Sequence, residues 1–491
     1  MMKKERNGYI TLYLTLILGV LLSLVFVLLE AVRDKTIRME TEGVMDLGLY
    51  SIFGEYNRQL LEQYDLFFID SSYGEGRPDI KRSEEHLQYY MNENFRKERM
   101  EGWLGFRDLT NLSCDNTEFE CYMYASDRKG QVLKSQIINY MQDKKGIDIA
   151  ESLLEQFGIL QNGNYTSADI NGMWEAQSEI LNELVEEKRE ELKEEMEDSE
   201  NEDEIPQGLD NPADYVKNIK NQGILGLALP PGKEVSSAWI HPEYYLSHRQ
   251  ISSGKGTLET QETLIDKATE RLLFWEYLME KCSRYSETKE KSVLKYQIEY
   301  LLKGKESDLE NLEHVLKDIL LIREGVNYFY LISDKGKVAE ADSLAWLVSL
   351  VLFSPEIKEA VKATILFAWS YAESVKDVRI LLDGNKLPLL KTKSTWNTPL
   401  SQLLMFTSCL DQYKRLDEGM VYEDYLKFFL SLKSEKELLY RFMDICEMDI
   451  RITEGNEFFQ MDGCISAVKA KANVSSGYGK GYQITRTYSY E

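Results

Sequence analysis

Several things are scarce in this chain of 491 residues, and each scarcity removes a class of function. Six cysteines over that length do not make a disulfide scaffold. The four histidines, His86, His241, His248 and His314, include no pair at the i, i+4 spacing of a helical zinc site, and no cysteine pair supplies a ligand motif. Basic residues are in deficit: 58 Lys and Arg stand against 83 Asp and Glu, a formal charge of −25. Contact with nucleic-acid phosphates needs clustered Lys and Arg, so nucleic acid is excluded as a partner. Gly254-Lys255-Gly256 and Gly479-Lys480-Gly481 lack the strand–loop–helix setting of a phosphate loop, and no nucleophile elbow or Cys/His pairing stands out. The expectation is a non-enzymatic protein, with no catalytic residue, metal ligand or cofactor assigned.

Long apolar runs are scarce too. There is one, from Tyr9 to Leu29 (YITLYLTLILGVLLSLVFVLL), without a charge in it. As a helix its roughly 21 residues span about 30 Å, the thickness of a bilayer's hydrocarbon core. It is longer than the apolar part of a signal peptide and ends in LLEAVR with no Ala-x-Ala cleavage pattern, so it reads as a retained anchor. Lys3, Lys4 and Arg6 precede it, while Arg33, Lys35 and Arg38 follow, a near tie by the positive-inside count. A long trailing domain crosses largely regardless of charge, so the expected topology has the amino terminus cytoplasmic and the bulk extracellular. Thr11, Thr15, Gly19 and Ser23 recur every fourth position along one face. Such small residues let another transmembrane helix approach; alternatively, the hydroxyls simply bond back to their own helix carbonyls.

No proline interrupts Tyr9 to Tyr64, which predicts one long helix leaving the membrane, with a kink at a glycine. YDLFFID then reads as a buried strand, residues 83–99 as a helix and 109–125 as strands. In CDNTEFEC a turn at Asp115–Thr117 would allow a bridge between Cys114 and Cys121; strand cysteines also pack simply as small hydrophobes. Helices are predicted over 131–157 and 168–197, an apolar strand at Ile224–Leu229, and almost continuous helix from Glu259 to Arg379, with a stop at Gly304 and a cap at Ser307. ISAVKAKANVSS and YQITRTYSYE alternate in period two about Gly477–Gly481, a hairpin expected to pair with the early strands. The predicted fold class is α+β, predominantly helical: a single amino-terminal transmembrane helix continuing into a large ectodomain with a helical bundle and a small, mainly antiparallel sheet. The expected division is a cytoplasmic leader at 1–8, the span at 9–30, a membrane-proximal α+β domain at 31–197, an acidic linker at 198–212, a helical domain at 213–457 and the terminal β-hairpin at 458–491.

GYITLYLTLILGVLLSLVFVLLEAVR, followed by EQYDLFFID, YQIEYLLKGKESDLENL, LIREGVNYFYLISD and AESVKDVRILLDG, resembles the TadE/TadG-like membrane proteins associated with tight-adherence pili in Gram-positive anaerobic bacteria. The resemblance implies a minor pseudopilin-like or scaffold component of such a pilus or secretion system, with membrane lipid, other transmembrane helices and pilus or secretion components as partners. It also implies a leader-processing position at Gly8, preceded by Lys3 and Lys4, although Tyr13 stands where pseudopilins carry a Glu. Glu30 is similar to the acidic residue that closes such helices; snorkelling of an interfacial charge explains it equally well. The alternative class is a membrane-tethered extracellular hydrolase or ligand-binding receptor whose site is assembled from residues far apart in the chain.

Overall fold

The computed structural model describes residues 6–97, 110–144, 151–162, 170–197, 217–258, 265–351 and 355–490. It is α+β and mainly helical, with one small antiparallel sheet. The chain divides into two compact units. The first gathers Met1–Lys145, Glu243–Phe274 and Leu439–Glu491; the second contains Gly146–Pro242 and Trp275–Leu438. The first unit thus takes in 243–274 and 439–457, which the linear division had placed in the helical domain; side chains from these stretches bond back to the early elements, as Asn456 does to Asn57. The expected linker at 198–212 lies outside the described residues.

The first unit is built on helix α1 (Arg6–Phe53). From Tyr9 to Val32 it is exposed all round, whereas beyond Thr36 it becomes two-faced. Ile37, Val44, Met45, Leu49, Ile52 and Phe53 are buried at helical spacing, packing with Leu87 and Met91 of α3 (Ile80–Lys97) and with the sheet. Gly48 allows the close crossing of α3: a Cβ there would meet Leu87 Cδ1 at 3.0 Å. Removing the Leu49 side chain from such a site costs about 2–5 kcal/mol. The single helix expected from Tyr9 to Tyr64 instead ends at Phe53; Gly54 follows as a turn, its N–H bonded to Tyr50 O and Ser51 O. Asn57 then caps a separate helix, α2 (Arg58–Tyr64), by accepting from Leu60 N, and Asp65 ends it in the left-handed region.

Strand pairing centres on β3 (Cys464–Ser476). It pairs antiparallel with β2 (Leu112–Tyr124), β1 (Ile69–Asp70) and β4 (Gly481–Ser489), so the terminal hairpin does pair with the early strands. Val468, Ala470, Ala472 and Val474 face the core, while Lys469, Lys471 and Asn473 alternate with them. The strand expected over YDLFFID is only Ile69–Asp70, because α2 and its left-handed stop occupy the start of that segment. Cys114 and Cys121 are free thiols. They lie seven positions apart on one strand that passes through Asp115–Thr117 with only a bulge at Asp115, roughly 23 Å at ~3.3 Å per residue, far beyond disulfide reach.

The second unit is a helical assembly around Lys358–Leu382, which packs with Asp308–Ser333 and Lys335–Val351. Two local expectations hold: Gly304 ends the helix Gln297–Lys303 with φ +62, and Ser307 caps the next by accepting from Glu310 N. The predicted strand at Ile224–Leu229 is instead a short helix, Ile224–Ala228. Ile224, Leu227 and Ala228 are buried at i, i+3, i+4, a face that a short apolar run reveals only in three dimensions.

Candidate functional site

The face where α1 leaves its apolar run is met by the last strand. Lys480 Nζ lies 2.7 Å from Glu30 Oε1, Tyr482 donates to Asp34 Oδ1 at 2.8 Å, and Arg486 reaches Glu42 at 3.2 Å and Asp46 at 3.1 Å. At the far end Tyr490 donates to the Phe53 carbonyl at 2.6 Å, and the Phe53 ring packs on Tyr488 and Tyr490. Even-numbered strand residues share one face, and helix positions four apart share another. Two strand residues advance about 6.6 Å and four helix residues about 6 Å, so the two periodicities stay in step. From Lys480 to Tyr490 the strand covers about 33 Å, and from Glu30 to Phe53 the helix covers about 35 Å. The result is a ladder of polar rungs along one side of α1.

The polar rungs lie largely at the surface, where water screens them, so they fix register more than they add stability. Glu30 holds the Lys480 ammonium above its ordinary pKa. Arg33 adds a cation–π contact, its guanidinium 3.8 Å from the Tyr478 ring centre. Apolar contacts beneath the rungs carry the attachment, with Ile484 in the same buried core as Val44 and Ile52. Tyr490, largely enclosed, has its phenol pushed up by burial.

The sequence-predicted site residues divide accordingly. Glu30 is at the first rung. Gly8 is in the opening turns of α1. Thr11, Thr15, Gly19 and Ser23 are all on the exposed part of the helix. Thr15 donates to Leu12 O and Ser23 to Val20 O, so these hydroxyls bond back to their own helix, and a Cβ on Gly19 would meet nothing within 4 Å. Cys114 sits buried against Met91, which pushes its thiol up to about 12 and makes it unreactive. Sequence reading missed Asp34, Glu42 and Asp46 together with Lys480, Tyr482 and Arg486. Their signal was present: acidic residues at steps of four on one element, cations and phenols at steps of two on another.

Elsewhere, polar clusters serve architecture. In the first unit Arg249 forks onto Glu447 at 2.7 Å and also meets Asp462, while Arg451 reaches Glu447 at 2.9 Å. Burial raises the Glu447 pKa, against the pull of these guanidinium groups. In the second unit Lys391 Nζ lies 2.6 Å from both Glu373 and Asp377. Arg323 Nε donates to Asp377 at 3.0 Å; its Nη2 is also 2.9 Å from that carboxylate but off the line of a hydrogen bond, giving charge attraction only. Burial alone would push Asp377 up; Lys391 and Arg323 outweigh it and hold it below the ordinary carboxylate range. No group of three or more metal-ligating side chains forms among the described residues.

One cavity stands out in the second unit. It encloses about 540 Å³ between Lys335–Val351, Lys358–Leu382 and Leu400–Cys409, walled by Leu344, Val348, Val361, Ile365, Leu403 and Phe406. Thr364, Ser401 and Tyr371 are the polar residues of its wall, and the Thr364 hydroxyl is already bonded to Ala360 O. Its size is that of a small-molecule site and its lining is almost wholly apolar.

Residues 200–476, more than half of the chain, match the family model of DUF5702, a family of unknown function. The chain belongs to that family. The DUF5702 match takes in the cavity and ends with the last residue of β3, so α1, β2 and β4 lie outside it. No curated protein and no solved structure matches the chain.

Proposed function

We propose that this DUF5702 protein is a non-enzymatic, membrane-anchored scaffold whose bulk is extracellular, serving as a minor pseudopilin-like or structural component of a tight-adherence-type pilus or secretion system. The observation that carries the reading is the continuity of α1. One helix is long and apolar enough to cross a membrane among the described residues, and the same helix runs unbroken into the core of the first unit. The terminal strand is fastened along it from Glu30 to Phe53. A displacement of the span would therefore reach the sheet without passing through a hinge, as a scaffold between membrane and appendage requires.

Two measurements test this. Protease added to intact protoplasts should digest the chain beyond Arg33 while cytosolic markers survive; full protection of both reverses the topology. Affinity purification from mildly solubilised membranes should recover pilin-like or secretion-ATPase components, and their consistent absence removes the appendage role. Mass spectrometry of the mature amino terminus reports whether the chain is cut after Gly8.

A second reading, that the second unit binds a ligand, is favoured by the cavity. Native mass spectrometry of the detergent-purified chain should then show a retained apolar molecule that Val361→Trp expels; an unliganded mass in both forms counts against it.

A further inference from the structure

We infer that the tip of the terminal hairpin, Gly477–Gly481, is a lipid-facing foot that rests in the phospholipid headgroup layer. The inference rests on the reading of α1 as a membrane span. The apolar run ends at Leu29, and the next residue, Glu30, is the one that Lys480 grips. Arg33, stacked on Tyr478, lies about 4.5 Å beyond Glu30 along the helix axis. The polar layer on each side of a bilayer is about 5–7 Å deep, so a tip held level with residues 30–33 stands within it. Its height is not adjustable, because Tyr482, Arg486 and Tyr490 pin the same strand to α1 further up.

The chemistry of the tip suits that depth. Tyr478 is 51% exposed, an amphipathic ring of the kind that collects at membrane–water interfaces. Gly477, Gly479 and Gly481 give the turn almost no bulk, and Gly479 adopts φ +77, which glycine takes without strain. At the base, a Cβ on Gly477 would lie 2.2 Å from Asn111 Nδ2, and Gly477 N–H donates to Asn111 O, so the turn is seated firmly. At the level of residues 30–33, Arg33 and Lys480 outnumber Glu30, against the acidic trend of the whole chain. That local excess fits phosphate oxygens. The partner is therefore the headgroup and glycerol region of the bilayer that α1 itself crosses.

Photocrosslinking in the full chain tests this. p-Benzoylphenylalanine, which keeps an aromatic ring, is introduced singly at positions 478, 14 and 50, and each protein is reconstituted into phosphatidylcholine–phosphatidylglycerol nanodiscs. Position 14 lies within the apolar run. Tyr50 is exposed on α1 about 30 Å beyond Leu29. After irradiation, intact-mass analysis should show lipid adducts at 14 and 478, with the yield at 478 at least fivefold above that at 50. Adducts at 14 but not at 478 overturn the foot and leave the membrane span standing. Equal adducts at 478 and 50 mean that the unit lies flat on the lipid, which also overturns it. No adduct at 14 removes the span, and the foot with it. Circular dichroism and trypsin resistance matching the parent confirm that each substituted chain is folded.

Discussion

Two long helices of this protein treat charge in opposite ways. The first part of α1, Tyr9 to Leu29, is exposed along its whole length and contains no charged residue. Lys358–Leu382 is buried along almost its whole length, yet includes Glu373, Lys376, Asp377 and Arg379. Each of those four has a partner: Glu373 and Asp377 share Lys391, Lys376 donates to Gln412 O, and Arg379 reaches Asp411 at 2.7 Å. Burial inside protein tolerates charge where fixed dipoles and opposite charges replace water. A surface facing hydrocarbon would offer no such partners, and the charge-free run meets that requirement. Exposure without charge is thus what separates the first part of α1 from a buried helix.

The largest effect that would break this contrast is expected at Asp377. Asp377→Ala leaves Arg323 and Lys391 buried without their shared carboxylate, and should lower unfolding stability by about 3–5 kcal/mol in denaturant titration. A loss near zero would mean that the network is not neutralising itself as described. Next comes the converse substitution. Leu18→Asp places a carboxylate in the middle of the exposed apolar run at an insertion cost of about 2.5–3.5 kcal/mol. The share of chain resisting alkaline carbonate extraction should fall sharply, while the thermal transition of the detergent-solubilised protein stays unchanged. Should that transition fall instead, the run packs against protein.

The smallest effect sharpens the rule for buried acids. Glu299 is fully buried in the second unit; it accepts from Tyr285 N and from the Tyr422 hydroxyl at 2.8 Å, while its Oε2 has no hydrogen-bond partner among the described residues. Burial raises its pKa to about 7, and Asp308 nearby pushes the same way. A raised acid favours the folded state only while protonated. Between the unfolded value near 4.3 and the folded value the unfolded chain releases its proton first, so stability falls as pH rises through that window. Glu299→Gln keeps an acceptor for both donors and removes the ionisation. It should be more stable than the parent by about 1–3 kcal/mol at pH 8 and indistinguishable at pH 4. A pH-independent difference would contradict the assignment.

Much of this architecture was legible in the sequence where the signal is local. The uncharged run, the stop at Gly304, the cap at Ser307 and the period-two tail all depend on neighbours within a few residues. What was not legible depends on pairing across distance. The five-residue run at 224–228 has no period of its own long enough to separate helix from strand, and its place against other elements decides it. The turn imagined at Asp115–Thr117 gives way to a bulge at Asp115 in a strand that stays paired with β3, whose small Ala470 and Ala472 make room for the core behind them. Arg323, Asp377 and Lys391 meet across more than fifty positions, and the rungs from Glu30 to Lys480 across 450, so no window along the chain contains both sides. The cavity is of the same kind, made of three apolar helix faces that each look like ordinary core.

The central claim is that α1 is a single rigid element shared between a membrane and a folded unit. Spin labels on cysteines introduced at Leu22 and Tyr50, both exposed on α1, test it most directly; Cys121 is changed to serine because the other five thiols are buried. In nanodiscs, pulsed electron–electron resonance should give one narrow distance distribution near 42 Å, the length of 28 residues of unbroken helix. A broad distribution, or one centred well below that length, would place a joint between span and sheet and contradict the account.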